Sequence, residues 1–213
     1  MDKAILLGCG GHAASILDSV LSSKKYEVVG IVDPNMDIGK TLLGVSCIGD
    51  DSCLEKVFNN GIHHAFIGVG SIGNITIRVQ LYHLTKGIGY TLPAIIDASA
   101  IIGRDCHIGE GVFIGKGSII NTQSVIEEMA IINSATLLEH QCYVGKFTHI
   151  APGCRVGGNS VFGRGSHIGI GSTVIQGVKI GDNTLVGAGS VVVKDIKSGV
   201  KAFGNPCREV GMF

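Results

Sequence analysis

The chain has 213 residues, with 17 basic and 17 acidic side chains balancing to zero formal charge. That length allows one large or two small domains, and the charge balance excludes a nucleic-acid or membrane partner held by bulk charge. No apolar run reaches the roughly 18 residues of a spanning helix.

The apolar stretch after Met1 is too short for a signal peptide. The 7 cysteines are odd in number, with no CxxC pair, which fits free thiols in a reducing compartment and a cytoplasmic protein.

The first ninety residues alternate strand and helix. Ala4–Leu7 reads as a strand, followed by Gly8-Cys9-Gly10-Gly11-His12-Ala13 and a helical pattern through Ile16, Leu17, Val20 and Leu21. Glu27–Val32 is a second strand, ending at Asp33-Pro34, and Asp50–Asn60 reads as helical. His64–Val69 is a third strand, followed by Gly70-Ser71 and a helix carrying Ile77, Arg78, Leu81 and Leu84. This order implies a parallel α/β sheet. Its size matches one mononucleotide unit, a Rossmann-like half domain over residues 1–90. Ile88–Pro93 is the expected boundary.

The glycine turn has two readings. Glycines let a backbone approach a phosphate closely, and the helix start behind them favours an anion. Gly8-x-Gly10-x-x-Ala13, with Asp33 placed for a ribose, satisfies the looser dinucleotide fingerprint. The alternative is a tight βα turn with no ligand. His12 either reaches a phosphate or sugar, or faces solvent from the helix.

From Ala94 to Asp195 the chain divides into seventeen hexapeptides without insertion, from AIIDAS and AIIGRD to TLVGAG and SVVVKD. The first place is Ala, Cys, Val, Ser or Thr, and the third is β-branched except at Leu138 and Phe162. A period of six excludes a helix and indicates a parallel β-helix. Eighteen residues make one triangular coil, so His149 should lie under His167, about 4.8 Å away, and His140 under Gly158. Cys106, Cys142 and Cys154 take first places and read as small core residues. His107, His149 and His167 take second places, which point outward and read as solvated. His140 alone sits at a corner, within Glu139-His140-Gln141, where three large polar groups replace the usual small ones. No third ligand is spaced to complete a three-histidine zinc site, so no metal is expected.

The hexads resemble the left-handed β-helix of hexapeptide acyltransferases, and Gly204-Asn205-Pro206-Cys207-Arg208 resembles that superfamily's terminal motif. The order of α/β half, β-helix over 94–195 and tail over 196–213 is more specific. Together with ILLGCGGHA and the EHQC and THIAPG runs, it resembles the sugar O-acyltransferases of the sialic-acid O-acetyltransferase type. These include bacterial N-acetyltransferases of nucleotide-linked amino sugars.

The resemblance implies a homotrimer with acetyl-CoA lying between adjacent β-helices. It places the general base on His140 and the coenzyme contacts on His149, Gly158, Ile170 and Ala188. It places the nucleotide-sugar contacts on Gly10, Gly11, His12, Asp33, Gly70 and Ser71. Gln141 stands where the family has an acid; an amide can orient the imidazole but adds no charge. Glu139 is the other candidate partner, and the Gly158 N–H is the candidate oxyanion donor. The expected activity is acetyl transfer from acetyl-CoA to the amine of a UDP-, GDP- or dTDP-linked amino sugar. O-acetylation of sialic acid and non-catalytic nucleotide-sugar binding are the alternatives. A dinucleotide oxidoreductase fails because the second mononucleotide half is missing.

Overall fold

Two hydrophobic periodicities in one chain build two different units. The computed structural model describes residues 1–213. They divide into Met1–Gly70 with Thr76–Ala98, and Ser71–Ile75 with Ser99–Phe213.

In the first unit, β1 (Asp2–Leu7) pairs in parallel with β2 (Tyr26–Val32) on one side and β5 (His64–Ile67) on the other. Ala4–Leu7 is buried without alternation, as a strand covered on both faces must be. The helices are α1 (Gly11–Ser23), α2 (Leu54–Asn59) and α3 (Thr76–Ile88). The helical stretch read at 50–60 begins as a 3-10 turn at Asp51–Cys53, where the Asp50 carboxylate accepts from the Ser52 N–H.

A hairpin of β3 (Thr41–Leu42) and β4 (Val45–Gly49) extends the sheet to the order β3-β4-β2-β1-β5. Sequence reading missed it. Its signal is Leu43-Gly44, with φ of 48° and 83°, two left-handed residues in the turn that joins such short strands. The helix read through Ile77, Arg78, Leu81 and Leu84 is α3, in which Ile77 and Leu84 are exposed, Leu81 is buried and Arg78 is fully buried.

In the second unit each coil side contains a two-residue strand. These strands recur every six residues from Ile101–Ile102 to Val191–Val192. Each stacks in parallel on the strand eighteen residues away, as Ile119 on Ile101 and Leu137 on Ile119. Three faces result, with outward residues such as Leu137 and Arg155 on the first, Tyr143 and Lys179 on the second, and His149 and His167 on the third. The prism is the left-handed β-helix. Third-place side chains from Ile114 to Val192 are at most 2% exposed and form the core. Every sixth place from Asp105 to Gly189 has positive φ, which turns the corner.

The small first place has a second cause besides space. Its hydroxyl or thiol donates to a carbonyl fifteen residues on, tying each coil to the next. Thr148 reaches Gly163 O at 2.6 Å, Ser166 reaches Gly181 O at 2.6 Å, and the Cys154 thiol reaches Gly169 O at 3.2 Å. The tail folds back as an antiparallel hairpin of Val200–Gly204 and Cys207–Met212, the first of these strands running parallel to the last strand of the third face. No helix is long and apolar enough to cross a membrane.

Thr148→Val keeps the shape and removes the donor. It should cost about 1 kcal/mol of stability, read as a lower urea midpoint with an unchanged slope.

Candidate active site

The His140 corner is assembled by the coil register. Leu137 stacks on Arg155, which carries the chain to Gly158 directly above His140. A Cβ on Gly158 would lie 2.6 Å from both Cε1 and Nε2 of His140, so glycine is required there for the ring to occupy its place. The His140 carbonyl accepts from the Asn159 N–H, and Gly157 N–H donates to Val174 O. No backbone carbonyl accepts the Gly158 N–H between them. An open recess of about 460 Å³ lies here, lined by His140, Gly158, Asn159, Gln176 and Gly177.

The other ring nitrogen of His140, Nδ1, lies 3.3 Å from Gln141 Oε1. Gln141, with φ of 58°, also donates from Nε2 to Gln123 Oε1 at 3.1 Å. Its amide nitrogen is thereby turned away and its oxygen faces the imidazole. Glu139 points elsewhere and accepts from Asn121 Nδ2 at 2.9 Å. The partner of His140 is therefore Gln141. Cys142, next in the chain, is buried and held up at about 11 by desolvation, as is Cys154; neither thiol supplies a nucleophilic thiolate.

His149 and His167 do stack, with ring centroids 4.9 Å apart at 80°. They are not solvated, however. Each is 7% exposed, because the segment Ser71–Ile75 lies across the third face. His149 Nδ1 is 2.6 Å from Ser71 O, and its Nε2 is 3.2 Å from Asn133 Nδ2. Burial pushes the His167 imidazole below its ordinary range. His107 is exposed as expected. Ile170 and Ala188 are exposed and stack along a different corner of the prism from His140 and Gly158.

In the first unit the glycines around the turn divide by cause. Gly8 has φ of 105°, and a Cβ on Gly68 would lie 2.7 Å from Ala13 Cβ; the fold demands both. Gly10 and Gly11 have nothing within 4 Å of a built Cβ and no positive φ. The packing therefore makes no steric demand for glycine at either position, and Gly10 is the N-cap of α1, where glycine is among the preferred residues. Gly70 carries His12 against it, with 3.4 Å between a built Cβ and His12 Cβ.

Asp33 is engaged by the protein's own backbone. Its Oδ2 accepts from the Cys9 N–H at 2.9 Å and its Oδ1 from the Asn35 N–H at 2.7 Å, so it shapes the glycine turn. Ser71 is 3% exposed, with its carbonyl taken by His149. Arg78, read only as part of a helical pattern, donates to Ile67 O at 2.9 Å and Val69 O at 2.8 Å. It holds the end of β5 that leads into Gly70, and burial lowers it to about 9. A basic residue at the buried stripe of an amphipathic helix was its one sequence signal. No group of three His, Cys, Asp or Glu side chains is placed to hold a metal ion.

The chain matches known families along its length. Residues 3–84 match the PglD N-terminal domain, residues 90–175 the GMPPB C-terminal domain, and residues 159–194 the six-repeat bacterial transferase hexapeptide family. A solved variant of perosamine N-acetyltransferase from Caulobacter crescentus, in complex with CoA and GDP-perosamine, is 33% identical. It superposes with a TM-score of 0.93 over 99% of this chain and 98% of that one. The acetyltransferase domain of PglB from Neisseria gonorrhoeae FA1090 is 28% identical, with a TM-score of 0.89 over 99% of this chain and 100% of that one. WeeI from Acinetobacter baumannii AYE, 23% identical at a TM-score of 0.86 over 99% and 100% of the two chains, shares the fold.

The fold and these matches together define a β-helix acyltransferase. Within that class, the chain belongs to the hexapeptide-repeat sugar acyltransferase family of the sialic-acid O-acetyltransferase type, which includes the nucleotide-amino-sugar N-acetyltransferases.

Gly158→Ala should keep the fold, since its backbone is not left-handed, and displace the His140 ring. The expected loss in kcat is about 100-fold, with the KM for the sugar substrate little changed; both are read in steady-state assays.

Proposed function

We propose that this chain transfers acetyl from acetyl-CoA to the amino group of a nucleotide-linked sugar, with His140 as general base. The observation that carries the reading is the two-sided engagement of the His140 ring. With Gln141 Oε1 accepting from Nδ1–H, the lone pair is on Nε2, on the edge that faces Gly158 and the recess.

The chemistry follows from that geometry. The acceptor nitrogen attacks the thioester carbonyl while Nε2 takes its proton, help worth about 10²–10⁴-fold. The carbonyl oxygen becomes an oxyanion, and the Gly158 N–H is the donor beside it; such donors are worth about 2.7–4 kcal/mol where they have been removed. The C–S bond then breaks, and the CoA sulfur leaves as thiolate or takes the proton from His140. The neutral Gln141 suffices to fix the tautomer, which is the part of an acid's role that orientation alone supplies. That removes the reason to read the corner as non-catalytic.

The nucleotide sugar is assigned to the first unit. Gly10 and Gly11 offer backbone N–H groups to the diphosphate, His12 and Gly70 line the same turn, and Asp33 holds that turn in shape while keeping lone pairs for a ribose hydroxyl. Amine acetylation is preferred over hydroxyl acetylation because the perosamine enzyme at 33% identity is an N-acetyltransferase. Coenzyme contacts are assigned to Gly158, Ile170 and Ala188. These occupy two corners of the prism, separated by a side of six residues, roughly 20 Å at full extension. One pantetheine therefore meets both sets when it lies between two copies of the chain. Outward Ile101 and Ile119 on the first face are 61% and 38% exposed and suit burial in that trimer. We place the enzyme in the cytoplasm, where acetyl-CoA and free thiols coexist.

The test is acetyl-CoA with UDP-, GDP- and dTDP-linked amino sugars and with free sialic acid, following thiol release. Turnover is expected with one or more nucleotide-linked amines and none with sialic acid. Release with sialic acid alone would overturn the proposal.

A further inference from the structure

We infer that His149 is a positioning residue that clamps the strap Ser71–Ile75 onto the third face of the β-helix. The hydrogen bonds around it determine one another. The Ser134 N–H donates to the side-chain oxygen of Asn133 at 2.8 Å. A backbone N–H can only donate, so the atom facing it is the amide oxygen. The amide nitrogen of Asn133 is therefore the group 3.2 Å from His149 Nε2, and Nε2 accepts. The single ring proton of neutral His149 is then on Nδ1, which donates to Ser71 O at 2.6 Å. Neither the tautomer nor the amide orientation is a free choice here.

Other seats hold the same strap. A Cβ on Gly165 would lie 2.9 Å from Ile75 Cδ1, and a Cβ on Gly73 would lie 2.7 Å from Phe213 Cζ, so two glycines admit the strap's side chain on one side and a covering ring on the other. Lys201 Nζ lies 5.8 Å from the Phe213 ring centroid, a cation–π contact that steadies the ring. His167 packs edge-to-face over His149 on the same face.

The family resemblance puts His149 against acetyl-CoA. In this chain both ring nitrogens have protein partners and the ring is buried. Its effect on the reaction is exerted on the strap, whose first residue follows Gly70. That consequence for substrate rests on the reading of the Gly70–Ser71 turn as part of the nucleotide-sugar site; the clamp itself does not.

Two substitutions separate these roles. In His149→Asn the amide nitrogen takes the place of Nδ1 and keeps the bond to Ser71. In His149→Gln the amide reaches toward Asn133 and loses it. Loss of one such bond is worth up to about tenfold. His149→Gln should raise the KM for the nucleotide sugar by about that factor and speed amide hydrogen exchange at Gly73–Ile75, with the KM for acetyl-CoA unchanged; His149→Asn should resemble the wild type in all three.

Asn133→Ala, which releases the tautomer without touching the strap, should also speed strap exchange and serves if His149→Gln does not fold. Faster strap exchange with an unchanged sugar KM would support the clamp and remove Gly70–Ser71 from the substrate site. Unchanged strap exchange in both His149→Gln and Asn133→Ala, or a raised acetyl-CoA KM in His149→Asn, would overturn the clamp.

Discussion

The constraint on which the acyl site depends is the hydrogen-bonded stacking of one coil on the next. Parallel two-residue strands fix the register, so a residue and the one eighteen places later share a column about 4.8 Å apart. No loop or long-range contact is needed to bring His140 and Gly158 together. The backbone ladder does it, reinforced inside by first-place hydroxyls such as Thr148 and Ser166 bonding from coil to coil. A site built on such a scaffold is held by the same bonds that hold the core, which is the preorganisation that acyl transfer uses.

Catalytic demand on the side chains is correspondingly small. Three things are required of the corner: a base with its lone pair in the right direction, a backbone donor, and space. In the proposed mechanism Gln141 and Gln123 supply the first by orientation, in place of a carboxylate, and the open column at Gly158 supplies the second and third. The proposed nucleotide end would use a different device, a glycine turn at a helix start, in which Asp33 and Arg78 work on the protein's own backbone.

Much of this was legible in the chain. The hexad count predicted the number of coil sides, the His149–His167 stack and the Gly158–His140 pairing, because a strict period converts sequence distance into spatial distance. What lay outside the period was not legible. The hexads contain no sign that residues 71–75 cover the third face, so His149 and His167 read as solvated. Arg78 fitted a helical stripe, and the stripe said nothing of the two carbonyls it satisfies. The Thr41–Gly49 hairpin is too short to show alternation, leaving Leu43-Gly44 as its only mark. A fingerprint position such as Asp33 cannot reveal that the Cys9 and Asn35 amides already engage it.

The most direct measurement is steady-state acetylation by His140→Ala, with acetyl-CoA and nucleotide-sugar affinities determined alongside. A general base at the stacked corner predicts a fall in kcat of about 100-fold or more, with both Kd values and the thermal midpoint close to wild type. A loss smaller than about tenfold, with the substrates still bound, would contradict it.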